Sequence, residues 1–174
     1  ITGTSFAGLP PEVVAKAQMA ISNHLSVMLA AVGDEAVVAA GKMAAAAGGH
    51  PEATLIDQGL KAPCNLAAMV NAIMAGAVDM DDGAYRPSGH LTHGGRVVVP
   101  SALAVAERQD ATGKDLITAV VLGYDVTLRV AWSISLNGMY PIAGMPGTYG
   151  ATAAAAKLLG LSTAEIVQAF GIAG

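Results

Sequence analysis

Apolar residues recur at three- and four-residue steps through most of this 174-residue chain, the period of a helix that buries one face. Pro10 and Pro11 sit where a first helical turn tolerates proline, and Val14, Ala17, Ile21, Leu25, Met28 and Leu29 then share a face until Gly33 closes the helix. His24 lies beside that stripe and reads as a core or boundary histidine. Asp34 is placed to cap a second helix that runs to Gly48 and Gly49. A third follows Pro63, with Leu66, Met69, Val70, Ile73, Met74 and Ala77 in phase, and continues into the aspartates at 79–82. Pro100 falls in the first turn of a fourth, which ends near Thr112 and Gly113. Asp115 opens a long fifth helix carrying Ile117, Val120, Val121, Tyr124 and Leu128, with Asp125 and Arg129 spaced to pair along it. An Ala-rich helix stops at Gly160, and Ser162 with Glu165 has capping-box spacing for a last one. Only ATLID, residues 53–57, reads as extended. The pattern predicts an all-α bundle of about seven helices in one helical domain over residues 1–174.

Charge adds little to this picture. Nine Lys and Arg against thirteen Asp and Glu give a net charge of -4 with no basic cluster, so no nucleic-acid partner is expected. The longest chargeless run, Val130–Ala156, is broken by Asn137, Gly138, Pro141, Gly144, Pro146 and Gly147, so the reading places no segment across a membrane. Cys64 is the single cysteine, which excludes an internal disulfide and suits a reducing compartment. The first residues lack the basic and apolar regions of a signal peptide, and a cytoplasmic location is the expectation.

Convergent chemistry is confined to the stretch from Asn71 to Glu107, which holds Asp79, Asp81, Asp82, Arg86, His90, His93 and Arg96. The bland alternative is a solvated acidic helix end followed by a surface loop. DMDDG is laid out like a calcium loop, yet its glycine falls fifth instead of sixth and His90 stands where a Glu should close the site. Spacing fixes no third or fourth ligand for a zinc site at His90 and His93. The expectation is therefore no metal and no cofactor. General acid–base chemistry demands least: a carboxylate can hold a loop histidine in one tautomer, and that histidine can shuttle a proton near neutral pH. Arg86, Arg96 and a helix start near Val97 offer positive potential to a substrate carboxylate.

Six blocks in order carry a family likeness: LPPEVVAKAQ, GGHPEATLIDQG, AAMVNAIMAGAVDMDD, a histidine followed by VVVPSALAVAE, GYDVTLRV, and GTYGATAAAAKLLGLSTAEIVQAFGIAG. In these the chain resembles the MmgE/PrpD family, which includes 2-methylcitrate dehydratase and cis-aconitate decarboxylase. The resemblance implies the helical domain of that family, with a mixed α/β lid domain beyond the matched region. It implies Asp79 and His93 as catalytic residues and makes Gly83 and Tyr140 site positions; with Asp82, His90 and Arg96 of the same cluster, these are the expected substrate-binding residues. Two residues depart from the pattern: Gly83 stands where the decarboxylase branch has threonine, and Tyr140 where most members have histidine.

The reading that follows is a cofactor-free lyase (dehydratase or decarboxylase) or an isomerase or epimerase, moving a proton beside a carboxylate of a small di- or tricarboxylic acid. His93 is the acid–base group, and Asp79 orients it within hydrogen-bond reach, directly or through one water. The alternative is a non-catalytic helical subunit or binding protein, for which Tyr140 is the best support. Low charge and abundant Ala, Gly and Met suggest self-association, and the family resemblance implies a homodimer through the helical domain. No lysine falls in the central loop, so the domain alone is expected to be catalytically incomplete, with a lid segment or partner chain supplying the missing cations.

Overall fold

The structure is a computed structural model, and it describes residues 1–85, 91–134 and 144–174. After a short 3-10 turn at Phe6–Gly8, the elements are α1 (Pro11–Ala30), α2 (Glu35–Ala47), β1 (Ala53–Leu55), β2 (Leu60–Ala62), α3 (Cys64–Gly76), β3 (Ala84–Tyr85), β4 (Leu91–Thr92), α4 (Gly95–Arg108), α5 (Gly113–Ser133), α6 (Gly144–Leu158) and α7 (Thr163–Ala173). Seven α-helices among the described residues agree with the all-α expectation.

The capping signals act as their chemistry requires. Asp34 accepts from the backbone N–H of Ala36 and Val37 at the start of α2, and Ser162 forms the capping box with Glu165 at α7. Helix α5 starts two residues earlier than expected, because Thr112 is the N-cap and Asp115 is its reciprocal partner three residues on. Helix α4 also starts early, at Gly95, which places Pro100 inside the helix instead of in its first turn. The cost of that proline is one missing N–H, which would have bonded the carbonyl of Arg96.

Helix α4 is the centre of the bundle and packs against α1, α3, α5 and α6. Val98, Val99 and Ala102 of α4 join Ala17 of α1, Ala119 and Val120 of α5 and Ala154 of α6 in one fully covered cluster. The interior is built from small residues, so the helix backbones must approach closely. A Cβ on Gly150 of α6 would overlap Thr127 Oγ1 and the Gly123 carbonyl of α5, and one on Gly123 would lie 2.5 Å from Val98 Cγ1. In α3 the buried face is turned from the expected one: Ala67, Val70, Asn71, Met74 and Ala75 are covered, whereas Met69 and Ile73 are partly exposed. Asn71 explains the turn. Its side chain accepts from Ile56 N–H and donates to the Thr54 carbonyl, tying α3 to β1.

Two hairpins were not expected beyond a short extended piece. β1 pairs antiparallel with β2, Ala53 opposite Ala62, and β3 pairs antiparallel with β4, Ala84 opposite Thr92. Strands of two or three residues cannot display alternation, so periodicity misses them. On length and composition alone, one helix among the described residues passes the test for a span that the sequence reading applied to the chargeless run. Helix α5 is long and apolar enough to cross a bilayer by length and composition, with a mean hydropathy of 1.3 over its best window, and α1 with α2 passes only as a pair bent by 94°. Within the bundle α5 packs against α6, α4 and α1.

Candidate active site

The site grows out of the end of α3. Helical bonding stops at Gly76, Asp79 N–H reaches back to the Gly76 carbonyl at 3.4 Å, and Asp79 itself adopts a left-handed backbone with φ of 51°. The aspartates therefore lie beyond the helix rather than on its last turn. The reversal separates neighbours in sequence: the Asp79 side chain is 85% exposed and that of Asp81 is 0% exposed. Three residues after Asp81 the chain enters β3. Because Ala84 is opposite Thr92 in the hairpin, the residue after β4, His93, returns beside the residues just before β3. The register of a minimal hairpin is thus what brings His93 to Asp82.

His93 Nδ1 lies 2.9 Å from the Asp82 carbonyl oxygen and 3.4 Å from Asp81 Oδ2. A carbonyl can only accept, so Nδ1 carries the proton and donates it. That fixes the tautomer and leaves Nε2 with the lone pair; among the described residues Nε2 has no hydrogen-bond partner. The ring is 19% exposed, so it borders solvent. Asp81 is the carboxylate beside the ring, and no hydrogen bond joins Asp79 to His93. The expectation that Asp79 orients the histidine thus meets a different geometry, with Asp81 in that place.

Arg96, the second residue of α4, is fully engaged on one edge. Its Nε donates to Asp81 Oδ2 at 2.6 Å and its Nη2 to Asp81 Oδ1 at 2.7 Å, a bidentate pair, while Nη2 also meets Asp79 Oδ1 at 3.0 Å. Burial pulls the guanidinium pKa down, but the hydrogen bonds and charges of Asp81 and Asp79 more than reverse this and leave it raised. The positive charge expected for a substrate is compensated from within the domain.

Asp82 is held from the far side. Tyr124 Oη on α5 donates to Asp82 Oδ2 at 2.8 Å, and His24 Nε2 on α1 stands 3.4 Å from Asp82 Oδ1. Burial, then the neighbouring negative charge and hydrogen bond of Asp82, push the Tyr124 hydroxyl pKa strongly up. His24, read from sequence as a core or boundary residue, is fully buried, and Tyr124 was read only as part of a stripe. The signal that could have found both is the HGGR run. A Cβ on Gly95 would overlap the His24 ring and the Tyr124 hydroxyl, so glycine there makes room for them.

A groove of ≈ 690 Å³ opens beside Asp82 between α1 and α5, lined among others by Val13, Lys16, Val121, Tyr124 and Leu128. Lys16 is the lysine that the fold, not the sequence, brings near the acidic stretch. Gly83 sits between Asp82 and β3. His90 and Tyr140, named above as substrate-binding positions, and Arg86 lie outside the described residues. His24, Asp81 and Asp82 form a group whose potential ligand atoms lie within 4.8 Å of one another.

A helical domain carrying a tautomer-fixed histidine over a buried carboxylate–guanidinium pair is thus the class that the fold and site define. The chain matches the MmgE/PrpD N-terminal domain over residues 1–174 and belongs to the MmgE/PrpD family. It is 33% identical over 121 residues to the cis-aconitate decarboxylase-like protein oryM of Aspergillus oryzae, an alignment covering 62% of this chain and 24% of that protein. It is 32% identical over 122 residues to the cis-aconitate decarboxylase of Homo sapiens, covering 66% of this chain and 24% of that protein. The aligned region is about a quarter of the length of either relative.

Proposed function

We propose that this domain supplies the acid–base wall of a lyase or isomerase that acts on a small di- or tricarboxylic acid. The observation that carries the reading is the Nδ1 contact of His93 with the Asp82 carbonyl, which leaves Nε2 as a base. Nε2 takes a proton from the carbon next to a substrate carboxylate, and the resulting imidazolium is stabilised by Asp81, 3.4 Å from Nδ1. The electron pair left on carbon then either expels a β-hydroxyl, which leaves as water with the proton from His93, or is protonated on the other face by a second acid from a segment that closes over this wall, His93 then giving up its proton to water. In a decarboxylating variant no proton is first removed: the ring starts protonated at both nitrogens, loss of CO2 leaves an electron pair on the substrate, Nε2–H of His93 protonates it, and the ring regains its proton from water. The relatives' names favour the lyase outcomes, and Gly83 in place of the decarboxylase threonine favours dehydration or isomerisation over decarboxylation.

Asp79, exposed and bound to Arg96, is proposed as a rim residue that contacts substrate while the Arg96 pair restrains it. With Arg96 compensated, cations for the substrate carboxylates must come from Lys16 or from a segment that closes over this wall. The test is a product-resolved assay on citrate-like and succinate-like acids with the complete protein, lid segment included. His93→Gln is expected to lower kcat by about 10² to 10⁴-fold with thermal stability retained. Ligand-induced stabilisation without turnover by any acid would instead point to a binding subunit.

A further inference from the structure

We propose that His24 and Tyr124 are positioning residues for His93, gripping the Asp82 carboxylate from two helices so that the Asp82 carbonyl stays fixed on His93 Nδ1; this rests on the reading of His93 as the acid–base group. The argument begins with a mismatch. His24 Nδ1 lies 2.9 Å from the Ala20 carbonyl, and since a carbonyl only accepts, that nitrogen carries a proton. In a neutral ring Nε2 would then present a lone pair to Asp82 Oδ1, 3.4 Å away. Both atoms are buried without a hydrogen-bond partner among the described residues, and an acceptor facing an acceptor in a dry site is repulsive. A second proton, on Nε2, resolves the conflict: the ring becomes an imidazolium held against the carboxylate.

The other carboxylate oxygen accepts from Tyr124. With one oxygen hydrogen-bonded to Tyr124 and the other facing the His24 ring at 3.4 Å, rotation of the carboxyl group is restricted, and with it the attached peptide unit. The carbonyl on that peptide is the one His93 meets at 2.9 Å. Gly95 at the start of α4 lets the two gripping side chains come together. Among the described residues, the other charges near the pair are Asp81, close to both, Arg96, which is bonded to Asp81, and Lys16 and Asp125, which line the groove beside Asp82. Because free imidazole prefers the proton on Nε2, weakening the grip should release His93 towards the wrong tautomer.

The experiment is long-range proton–nitrogen NMR of the 15N-histidine-labelled protein, assigned with single histidine substitutions. Expected for the unaltered protein near neutral pH are His93 protonated at Nδ1 alone and His24 protonated at both nitrogens. Tyr124→Phe and His24→Gln should move His93 into a tautomer mixture and lower kcat by about 10 to 100-fold, as loss of an orienting partner does, with KM little changed. An unaltered His93 tautomer in a folded Tyr124→Phe protein overturns the proposal, and this single-oxygen change decides the matter even where His24→Gln fails to fold. A neutral His24 whose Nε2 signal shifts on titrating chelator-treated protein with Zn2+ also overturns it, in favour of a cation held with Asp81. A His93 locked by the grip in a protein that turns over no carboxylic acid would leave the positioning role standing and remove the lyase reading.

Discussion

Asp79 and Asp81, two positions apart, meet opposite environments, and their substitutions should separate accordingly. Asp81→Asn removes half of a covered ion pair and leaves the Arg96 guanidinium, 23% exposed, without its bidentate partner; a loss of roughly 3 kcal/mol is expected. In a chain of this size that lowers Tm by about 6–12 °C. Asp79→Asn breaks one contact at an exposed site and should shift stability by less than about 0.5 kcal/mol in the same melt. The sequence shows that acids cluster here, but not which of them turns inward. That is decided by the left-handed φ of Asp79, which aspartate adopts without any mark in the residue pattern. For the same reason His93 was legible as a candidate from its type and loop, whereas its partner was not.

At the scale of elements, the caps and the helix periods were readable because each is a local rule. Asp34, Ser162 and Glu165 were read directly, and Thr112 was missed in favour of Asp115, its partner in the same box. Ser162→Ala should cost about 1 kcal/mol in urea unfolding. Contacts between distant elements were not readable. Glu107 of α4 accepts from the backbone N–H and the hydroxyl of Thr54 in β1, both at 2.7 Å, and meets Lys61 of β2 at 2.6 Å. Burial raises the Glu107 pKa, but these three partners outweigh it and hold the carboxyl below its ordinary 4.5. A carboxyl with a depressed folded-state pKa stabilises fully above its unfolded value and loses that contribution as pH falls through the folded one. Acid titration of stability should therefore fall more steeply below about pH 4.5 in the unaltered protein than in Glu107→Gln.

The molecule as a whole depends on small residues where α4, α5 and α6 meet. Gly150→Ala drives a methyl into the Gly123 carbonyl and Thr127 of α5, and backbone cannot yield as a side chain can; a loss of about 3 kcal/mol is expected, read as a lower Tm. Composition announced close packing, but only the assembled helices show which glycines carry it. The contrast between the covered interior and the solvent-facing rim has a practical consequence for saturation mutagenesis. When cellular abundance and turnover are scored in parallel, positions 95, 123 and 150 should lose both together, because those glycines make room for neighbouring atoms. At position 79 abundance should survive replacement by Asn or Gly, which share the left-handed backbone. Any loss of turnover there would then report contact with substrate alone, giving a map in which chemistry and folding separate residue by residue.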